Sequence, residues 1–271
     1  MVVVGDEVEF DINEDGTGVI SEVGERKNYI SRKAPRIKGA GHRGERLEQI
    51  IASNVDMLYV VSSIFSPQLN ERTIDRLIVA AESSHVSVSI ILNKCDLSDE
   101  KETNFWRDFY SQLGYDVFVT SVTENIGINE VRASLEGKVN LFWGSSGVGK
   151  SSILNSLFPE LDFNVGEISD ASDKGKHTTV TSVMNQVLEG TYVIDTPGIR
   201  EIDPYGIKKE DLGHYFKEFE DYIHDCKFNT CTHQHEPGCA VIEAVDEEEI
   251  DIIRYKSYLN LLETIEEDMN F

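Results

Sequence analysis

The sequence has few cysteines, few basic residues and no long apolar run. Four cysteines in 271 residues are too few for the disulfide framework of a secreted scaffold, so we expect a protein of the reducing cytoplasm. No uninterrupted apolar run approaches the roughly 18 residues that a membrane-spanning helix needs. The first residues turn acidic without the basic leader that is typical of a secretory signal. We therefore expect a soluble monomer without a membrane partner.

The chain contains 25 Lys and Arg residues and 49 Asp and Glu residues, which gives a net charge of −24. This balance argues against a surface that coats nucleic acid, because phosphate binding depends on clustered Lys and Arg. One segment, 26–46, is different because it contains eight basic residues and a single acid, Glu45. It is either a solvated loop or a local phosphate-contacting surface. Its basic residues are Arg26, Lys27, Arg32, Lys33, Arg36, Lys38, Arg43 and Arg46.

The hydrophobic pattern divides the chain into three parts. Residues 1–50 contain short β segments between turn residues, and residues 51–204 alternate apolar strand runs with amphipathic helices. This alternation predicts an α/β domain with a doubly wound, mostly parallel sheet. Residues 205–271 are acidic and helical. The apolar spacing within 247–268 predicts an amphipathic helix that packs on its own domain or binds a partner.

A phosphate-binding loop is predicted at Gly144–Ser151, which follows an apolar strand and precedes a helical pattern. The segment fits G-x-x-x-x-G-K-[ST], in which glycines turn backbone N–H groups towards phosphate oxygens and the next helix adds its positive end. In this interpretation Lys150 reaches the β- and γ-phosphates and Ser151 binds Mg²⁺. The alternative is a glycine-rich turn without a ligand.

A second motif, Asp195-Thr196-Pro197-Gly198, follows the apolar strand that ends at Ile194. An acid at the end of a strand beside a phosphate-binding loop can bind Mg²⁺, often through water. The Gly198 N–H can then contact the γ-phosphate. By itself D-x-x-G is also compatible with an ordinary turn.

A third motif, Asn93-Lys94-Cys95-Asp96, follows another apolar strand. The Asp96 carboxylate can accept two hydrogen bonds from guanine, at N1–H and the exocyclic amino group, and adenine lacks this donor pair. Asn93 and the Lys94 stem can support the base. The alternative is a helix N-cap at the end of a strand.

A cysteine and histidine cluster has the pattern C-x4-C-x-H-x5-C, from Cys226 through Cys231 and His233 to Cys239. Three thiolates and one imidazole form a closed tetrahedral set, which suits one structural Zn²⁺ and leaves no open position for water. His235 is an alternative ligand. Three free thiols in a loop are the alternative to a metal site.

The order of these motifs, with N-K-x-D first, the phosphate-binding loop next and D-x-x-G last, indicates a circular permutation. Together with the cysteine pattern it resembles the ribosome small subunit-dependent GTPase A family, also called the YjeQ or YloQ type. The resemblance covers almost the whole chain. It implies an OB-like β domain at 1–50, a circularly permuted P-loop GTPase domain at 51–204 and a helical zinc-binding domain at 205–271. About three strands are visible where an OB barrel has five, so this β domain is expected to be truncated or incomplete.

The resemblance also implies an activity and a partner. Members of the family hydrolyse GTP to GDP and phosphate, bind the small (30S) ribosomal subunit and its rRNA, are stimulated by it, and act late in its maturation. An ATPase or kinase with a coincidental N-K-C-D is one alternative. An RNA-binding module whose nucleotide pocket has only a structural role is another.

The switch residues follow from the same resemblance. Residues 174–179 resemble the first switch, in which Thr178 or Thr179 completes Mg²⁺ coordination, with a preference for Thr179. Ile199 occupies the position where many GTPases have the Gln that orients water. The resemblance suggests His177 as its replacement, and the alternative is that His177 only shapes the loop.

The complete prediction has four sets of residues. The catalytic residues are His177, Lys150 and Thr179. The magnesium ligands are Ser151, Thr178, Thr179 and Asp195. The zinc ligands are Cys226, Cys231, His233 and Cys239. The GTP-binding residues are Asn93, Lys94, Asp96, Thr120, Ser121, Gly144, Ser145, Ser146, Gly147, Val148, Gly149, Lys150, Ser151, Ser152, Asp195 and Gly198, where Thr120 and Ser121 resemble the family's fifth guanine motif.

Overall fold

The computed structural model describes residues 1–34, 47–161, 163, 182–196 and 203–269. Its first part contains two antiparallel two-stranded ribbons, one more strand than the sequence pattern shows. Strand β1 (Val8–Ile12) pairs with β2 (Gly18–Val23), and β3 (Tyr29–Lys33) pairs with β4 (Glu48–Ser53). These described strands do not close into a barrel, so the OB-fold remains a prediction.

A six-stranded sheet forms the centre of the molecule, in the order β7-β6-β5-β8-β10-β9. Five strands are parallel and β9 is antiparallel at the edge. The central strands are almost wholly apolar because helices cover both of their faces. The strands are β5 (Met57–Ser63), β6 (Ser87–Asn93), β7 (Asp116–Val119), β8 (Val139–Trp143), β9 (Val183–Leu188) and β10 (Thr191–Asp195). The predicted doubly wound, mostly parallel sheet is confirmed.

Four helices cover the two faces of this sheet. Helices α1 (Glu71–Glu82) and α2 (Glu100–Gln112) pack on one face. Helices α3 (Ile128–Ser134) and α4 (Lys150–Leu157) pack on the other. The Asn70 and Asp99 side chains cap α1 and α2 by accepting from backbone N–H groups of the first turn. The result is a three-layer α/β/α arrangement.

The carboxyl-terminal part has its own apolar core. It contains two short 3₁₀ turns and helices α5 (Glu220–Ile223), α6 (Ala240–Asp246) and α7 (Ile252–Met269). Helix α7 begins five residues later than the predicted segment, and Ile250 is buried ahead of it. Leu262 and Ile265 are buried in the same core as Val79 of α1. The helix thus packs on its own chain, in agreement with the first of the two alternatives.

A buried ionic cluster joins α1 to the carboxyl-terminal part. The fully buried Arg254 of α7 pairs with Asp75 of α1, and its Nε donates to Glu218 Oε1 at 2.5 Å. Tyr110 of α2 donates to Asp75 at 3.3 Å. Burial raises the pKa of the Asp75 carboxyl, and Arg254 opposes that rise. Removing one member of such a buried pair typically costs about 3–5 kcal/mol, because the other charge is left uncompensated.

Among the described residues, no helix combines the length and the apolar character that crossing a bilayer would require.

Candidate functional site

The predicted nucleotide motifs meet at one edge of the sheet. Asn93 ends β6, Thr120 follows β7, Gly144 follows β8 and Asp195 ends β10. These four strands are parallel, so their carboxyl ends lie on the same side of the sheet, where ligands bind in open α/β folds. Residues that are up to 102 positions apart in the sequence are therefore brought together.

The phosphate-binding loop passes very close to its neighbours, and glycine makes this possible. A Cβ at Gly144 would lie 2.0 Å from the Val61 carbonyl oxygen of β5. A Cβ at Gly149 would lie 2.3 Å from Asn93 Nδ2, and Gly149 has a φ of +100°. Helix α4 begins directly after it, so its N-terminal N–H groups face the loop. The strand–loop–helix context that a phosphate-binding loop requires is present.

Lys150 and Asp195 form the charged centre of this loop. Both side chains are more than nine-tenths buried. Lys150 Nζ donates to the carbonyls of Gly144 at 2.8 Å and Ser145 at 3.1 Å. Burial lowers the pKa of Lys150 and raises the pKa of Asp195, and each charge partly offsets the effect on the other.

The Asp195 Oδ1 atom is buried without a hydrogen-bond partner among the described residues. A buried carboxylate oxygen without a protein partner, near Lys150 of the phosphate-binding loop, fits a Mg²⁺ site, since Mg²⁺ takes oxygen ligands.

Asn93 connects the guanine motif to the phosphate-binding loop. Its Nδ2 donates to the Val148 carbonyl at 2.9 Å, and its Oδ1 accepts from the Thr120 hydroxyl at 3.0 Å. The Cys95 N–H donates to the Thr120 carbonyl at 3.1 Å. These three bonds position the loops that follow β6, β7 and β8 relative to one another.

Asp96 is exposed and negatively charged beside the loop after β7. Ser121 has the largest effect in lowering the pKa of the Asp96 carboxyl, and Thr123, which donates to Oδ2 at 3.1 Å, adds to it. An ionised carboxylate with solvent-facing lone pairs can accept from the two donors of guanine. The sequence analysis did not include Thr123. Its hydroxyl, two residues after Ser121, could have been predicted to contact the same carboxylate.

Lys94 forms a bridge that the sequence did not reveal. Its Nζ donates to the Gly147 carbonyl at 2.7 Å and to the Ser66 carbonyl at 2.5 Å. The loop between β5 and α1 therefore forms a further wall of the site. No motif marks Ser66, because it acts through its backbone.

The four predicted zinc ligands form one cluster. Their ligand atoms all lie within 4.8 Å of one another. His233 Nδ1 is 3.3 Å from Cys239 Sγ and 3.6 Å from Cys226 Sγ, and the Cys226 and Cys239 sulfurs are 3.9 Å apart. Tetrahedral zinc with bonds of about 2.3 Å needs ligand separations of about 3.8 Å. The donor set and its spacing fit a zinc ion.

The loop between Cys231 and Cys239 is built around Glu236. Its carboxylate accepts from three backbone N–H groups, and the Thr232 hydroxyl donates to it at 2.5 Å. Tyr255 and Tyr258 of α7 donate to the carbonyls of His233 and Thr232. This arrangement turns His233 inwards, while His235 is exposed and outside the cluster. Burial raises the pKa of Cys231 to about 12, so a thiolate at this position requires a nearby cation.

Several predicted residues lie outside the described part of the chain. They are His177, Thr178, Thr179 and Gly198, together with Ile199 and the basic residues Arg36, Lys38, Arg43 and Arg46.

Comparison with known proteins agrees with the geometry. The model of the family described as "RsgA GTPase" matches residues 23–205, which is more than half of the chain. The chain belongs to the RsgA GTPase family. The small ribosomal subunit biogenesis GTPase RsgA of Phocaeicola vulgatus is 44% identical, over 98% of this chain and 84% of the relative. The protein of the same name from Chlorobaculum parvum is 40% identical, over 98% of this chain and 86% of the relative.

Solved structures of RsgA-type proteins show the same fold. YjeQ from Thermotoga maritima is 34% identical with a TM-score of 0.77, over 98% of this chain and 84% of that structure. YloQ, described as a circularly permuted GTPase, is 26% identical with a TM-score of 0.72, over 98% of this chain and 81% of that structure. The family and the permuted fold that the motif order predicts are confirmed.

Proposed function

We propose that this RsgA-family chain binds GTP and Mg²⁺ at the carboxyl edge of its sheet and hydrolyses GTP while bound to the small ribosomal subunit. The observation that supports the proposal most is that Lys150 begins α4, Asp195 ends β10 and Asp96 follows β6, so that all three lie at that edge. The names of the relatives supply the subunit and its biogenesis as the process.

Each group has a distinct proposed role. The loop from Gly144 to Ser152 surrounds the phosphates, and the buried Lys150 ammonium opposes their negative charge. Ser151 and Asp195 would be the described ligands of Mg²⁺, which when bound neutralises phosphate charge. Asn93, Lys94 and Asp96 would bind the base, with Thr120 and Ser121 beside it. His177, Thr178, Thr179 and Gly198 complete the proposed site from outside the described residues.

Zinc is the proposed occupant of the cysteine and histidine cluster. Because all four ligands are protein side chains, the ion would stabilise the fold and would not activate water. Its loop contacts α7, so the metal would stabilise the packing of the carboxyl-terminal part.

The contact with ribosomal RNA is proposed to involve the basic segment 26–46. Arg26 pairs with Asp6 at 2.7 Å, and Arg32 Nε donates to Gln49 at 3.2 Å. Lys27 lies 3.5 Å from Asp56 but remains largely exposed. The described part of this segment thus offers less charge to a phosphate than its composition suggests.

Phosphate release tests the proposed function. Release from GTP is measured with and without purified small ribosomal subunits, with ATP as a parallel substrate. We expect release from GTP to be slow alone and strongly increased by the subunits, with ATP inactive. Equal use of ATP would contradict the guanine assignment. Tight GTP binding with no increase of phosphate release by the subunits would contradict the proposed ribosomal partner.

Replacing Asp96 tests base recognition. Asp96→Asn puts an amide donor opposite the two donors of guanine, so GTP affinity is expected to fall about 100-fold. Xanthosine triphosphate, whose C2 carbonyl can accept from the amide, is expected to bind the variant better than GTP does. Titration calorimetry measures both affinities. The control is Asp108→Asn on α2, an exposed acid whose loss should leave both affinities unchanged. Unchanged GTP affinity in Asp96→Asn would contradict the role of this carboxylate.

A further inference from the structure

The loop after β7 is held in one shape by contacts within it. Ser121 and Ile126 form a β-bridge in which each N–H donates to the other carbonyl, at 3.0 and 2.9 Å. Gly127 follows with a φ of +67°, and a Cβ at this position would lie 2.1 Å from the Val119 carbonyl oxygen. The Glu124 N–H donates to the Ser121 hydroxyl at 3.1 Å. The turn between the two ends of the bridge is therefore fixed.

Thr123 lies in this turn, and its hydroxyl reaches the guanine motif. Its Oγ1 donates to Asp96 Oδ2 at 3.1 Å and lies 3.0 Å from the Ser121 hydroxyl oxygen. An ionised carboxylate can only accept, and a backbone N–H can only donate. The single hydroxyl hydrogen of Thr123 is given to Asp96, so Ser121 donates to Thr123. The hydrogen bonds thus run in one direction, from the Glu124 N–H through the two hydroxyls to the Asp96 carboxylate.

The carboxylate of Asp96 needs such support because the side chain is exposed. An exposed carboxylate that rotates freely loses conformational entropy when a ligand fixes it, and this loss weakens binding. Guanine presents N1–H and its amino group side by side in the plane of the base, so both are accepted only when the carboxylate lies in that plane. Ser121 and then Thr123 lower the pKa of the Asp96 carboxyl, in agreement with hydroxyl groups directed at its ionised form.

We propose that Thr123 is a positioning residue for base selection, which orients the Asp96 carboxylate so that both of its oxygens accept from guanine. The inference rests on the proposed GTP-binding function and adds to it a residue outside the N-K-x-D motif. Each carboxylate oxygen has two lone pairs, so Oδ2 can accept from Thr123 and from the base at the same time. The Cys95 N–H, which donates to the Thr120 carbonyl at 3.1 Å, positions the backbone of the motif. The Thr123 hydroxyl acts on the carboxylate itself.

Nucleotides that differ only at the base test this role. Inosine triphosphate lacks the exocyclic amino group, so it offers one donor where GTP offers two. Titration calorimetry on the full chain measures the affinities for GTP, inosine triphosphate and GDP, for wild type, Thr123→Val and Thr123→Ser. We expect wild type to prefer GTP over inosine triphosphate by about tenfold or more, and Thr123→Val by only about twofold. Thr123→Ser retains the hydroxyl and should retain the preference.

The ratio of affinities separates positioning from a general effect on the site. The ratio of GTP to GDP affinity reports on the γ-phosphate, so it should be unchanged in Thr123→Val. A substitution that only loosened the loop would weaken the binding of all three nucleotides by the same factor. The matched control is Glu124→Gln, which changes an exposed side chain of the same turn and keeps the backbone N–H that donates to Ser121. Its preference for GTP over inosine triphosphate should equal that of wild type.

Several outcomes would overturn the inference. One is a wild-type preference for GTP over inosine triphosphate in Thr123→Val, and another is an equal loss of preference in Thr123→Ser. If Thr123→Val fails to fold, Thr123→Ala and Ser121→Ala interrupt the same series of hydrogen bonds and decide by the same ratio. A wild-type chain that prefers GTP over ATP but binds inosine triphosphate as tightly as GTP would overturn the inference and leave the proposed function intact. A wild-type chain that binds ATP as tightly as GTP would overturn both.

Discussion

A Lys150→Met chain is expected to lose GTP binding while it still folds. Lys150 is 9% exposed, and burial lowers its pKa, so keeping the ammonium charged carries a desolvation cost in the nucleotide-free protein. Methionine has a similar length, but it leaves the buried Asp195 carboxyl and the Gly144 and Ser145 carbonyls without the ammonium, so the free energy of unfolding is expected to fall by about 1–3 kcal/mol. The phosphates lose their buried cation, so GTP affinity should fall by about 100-fold and stimulated turnover by about 1000-fold.

Calorimetry for GTP, phosphate release and urea unfolding measure these three quantities on one preparation. The matched control is Lys138→Met, which changes a lysine just before the opposite end of β8, where its Nζ contacts the Ser134 carbonyl. This control should bind GTP as wild type does. Retained affinity in Lys150→Met would exclude Lys150 from phosphate binding, and a large loss of stability would show that its main role is structural.

Metal removal is expected to have the second large effect. A strong zinc chelator should release one equivalent of zinc per chain. Structural zinc sites contribute apparent binding free energies on the order of 10 kcal/mol, so the Tm should fall by about 10 °C or more. The loss should spread beyond the loop, because the carbonyls of Thr232 and His233 accept hydrogen bonds from two tyrosines of α7. Atomic absorption and calorimetric melting measure the two effects.

Two histidine variants identify the ligand. His233→Ala removes the only described imidazole within the cluster and should lower both zinc content and Tm. His235→Ala changes an exposed side chain two residues away and should leave both unchanged. Zinc lost from the second variant and retained by the first would reverse the ligand assignment. Zinc absent from wild type would refute the site.

The sequence predicted the strands, helices and motifs that a short stretch of consecutive residues defines. Strands such as β5 and β6 are continuous apolar runs because both faces are buried, and each nucleotide motif follows such a strand. The phosphate-binding loop and the cysteine cluster are contiguous patterns, so their residues could be named in advance. The grouping of the motifs then followed from the rule that parallel strands end on the same side.

The sequence did not predict strands with an incomplete apolar pattern, or contacts between residues far apart in the chain. Strands β4 and β9 lie at ribbon or sheet edges, where the apolar pattern is incomplete. The start of α7 was placed too early, because Ile250 is buried like a helical residue but lies outside the helix. Arg76 and Asp203 form an ion pair although they are 127 positions apart, and no local pattern predicts such a pair. Ser66 was missed because its contact is made by a carbonyl, which every residue possesses.

The ionic cluster around Arg254 has a consequence for how this protein can be divided. A cut near residue 204 is natural in the sequence, but it would leave Asp75 charged and unpaired on α1 and would uncover Val79. The nucleotide-binding part would then expose an unpaired charge and an apolar side chain on α1. The nucleotide-binding part and the carboxyl-terminal part therefore depend on each other for their stability. A fragment that ends near residue 204 is therefore expected to be less stable than the whole chain. The role of the carboxyl-terminal part is better tested by point substitutions than by deletion.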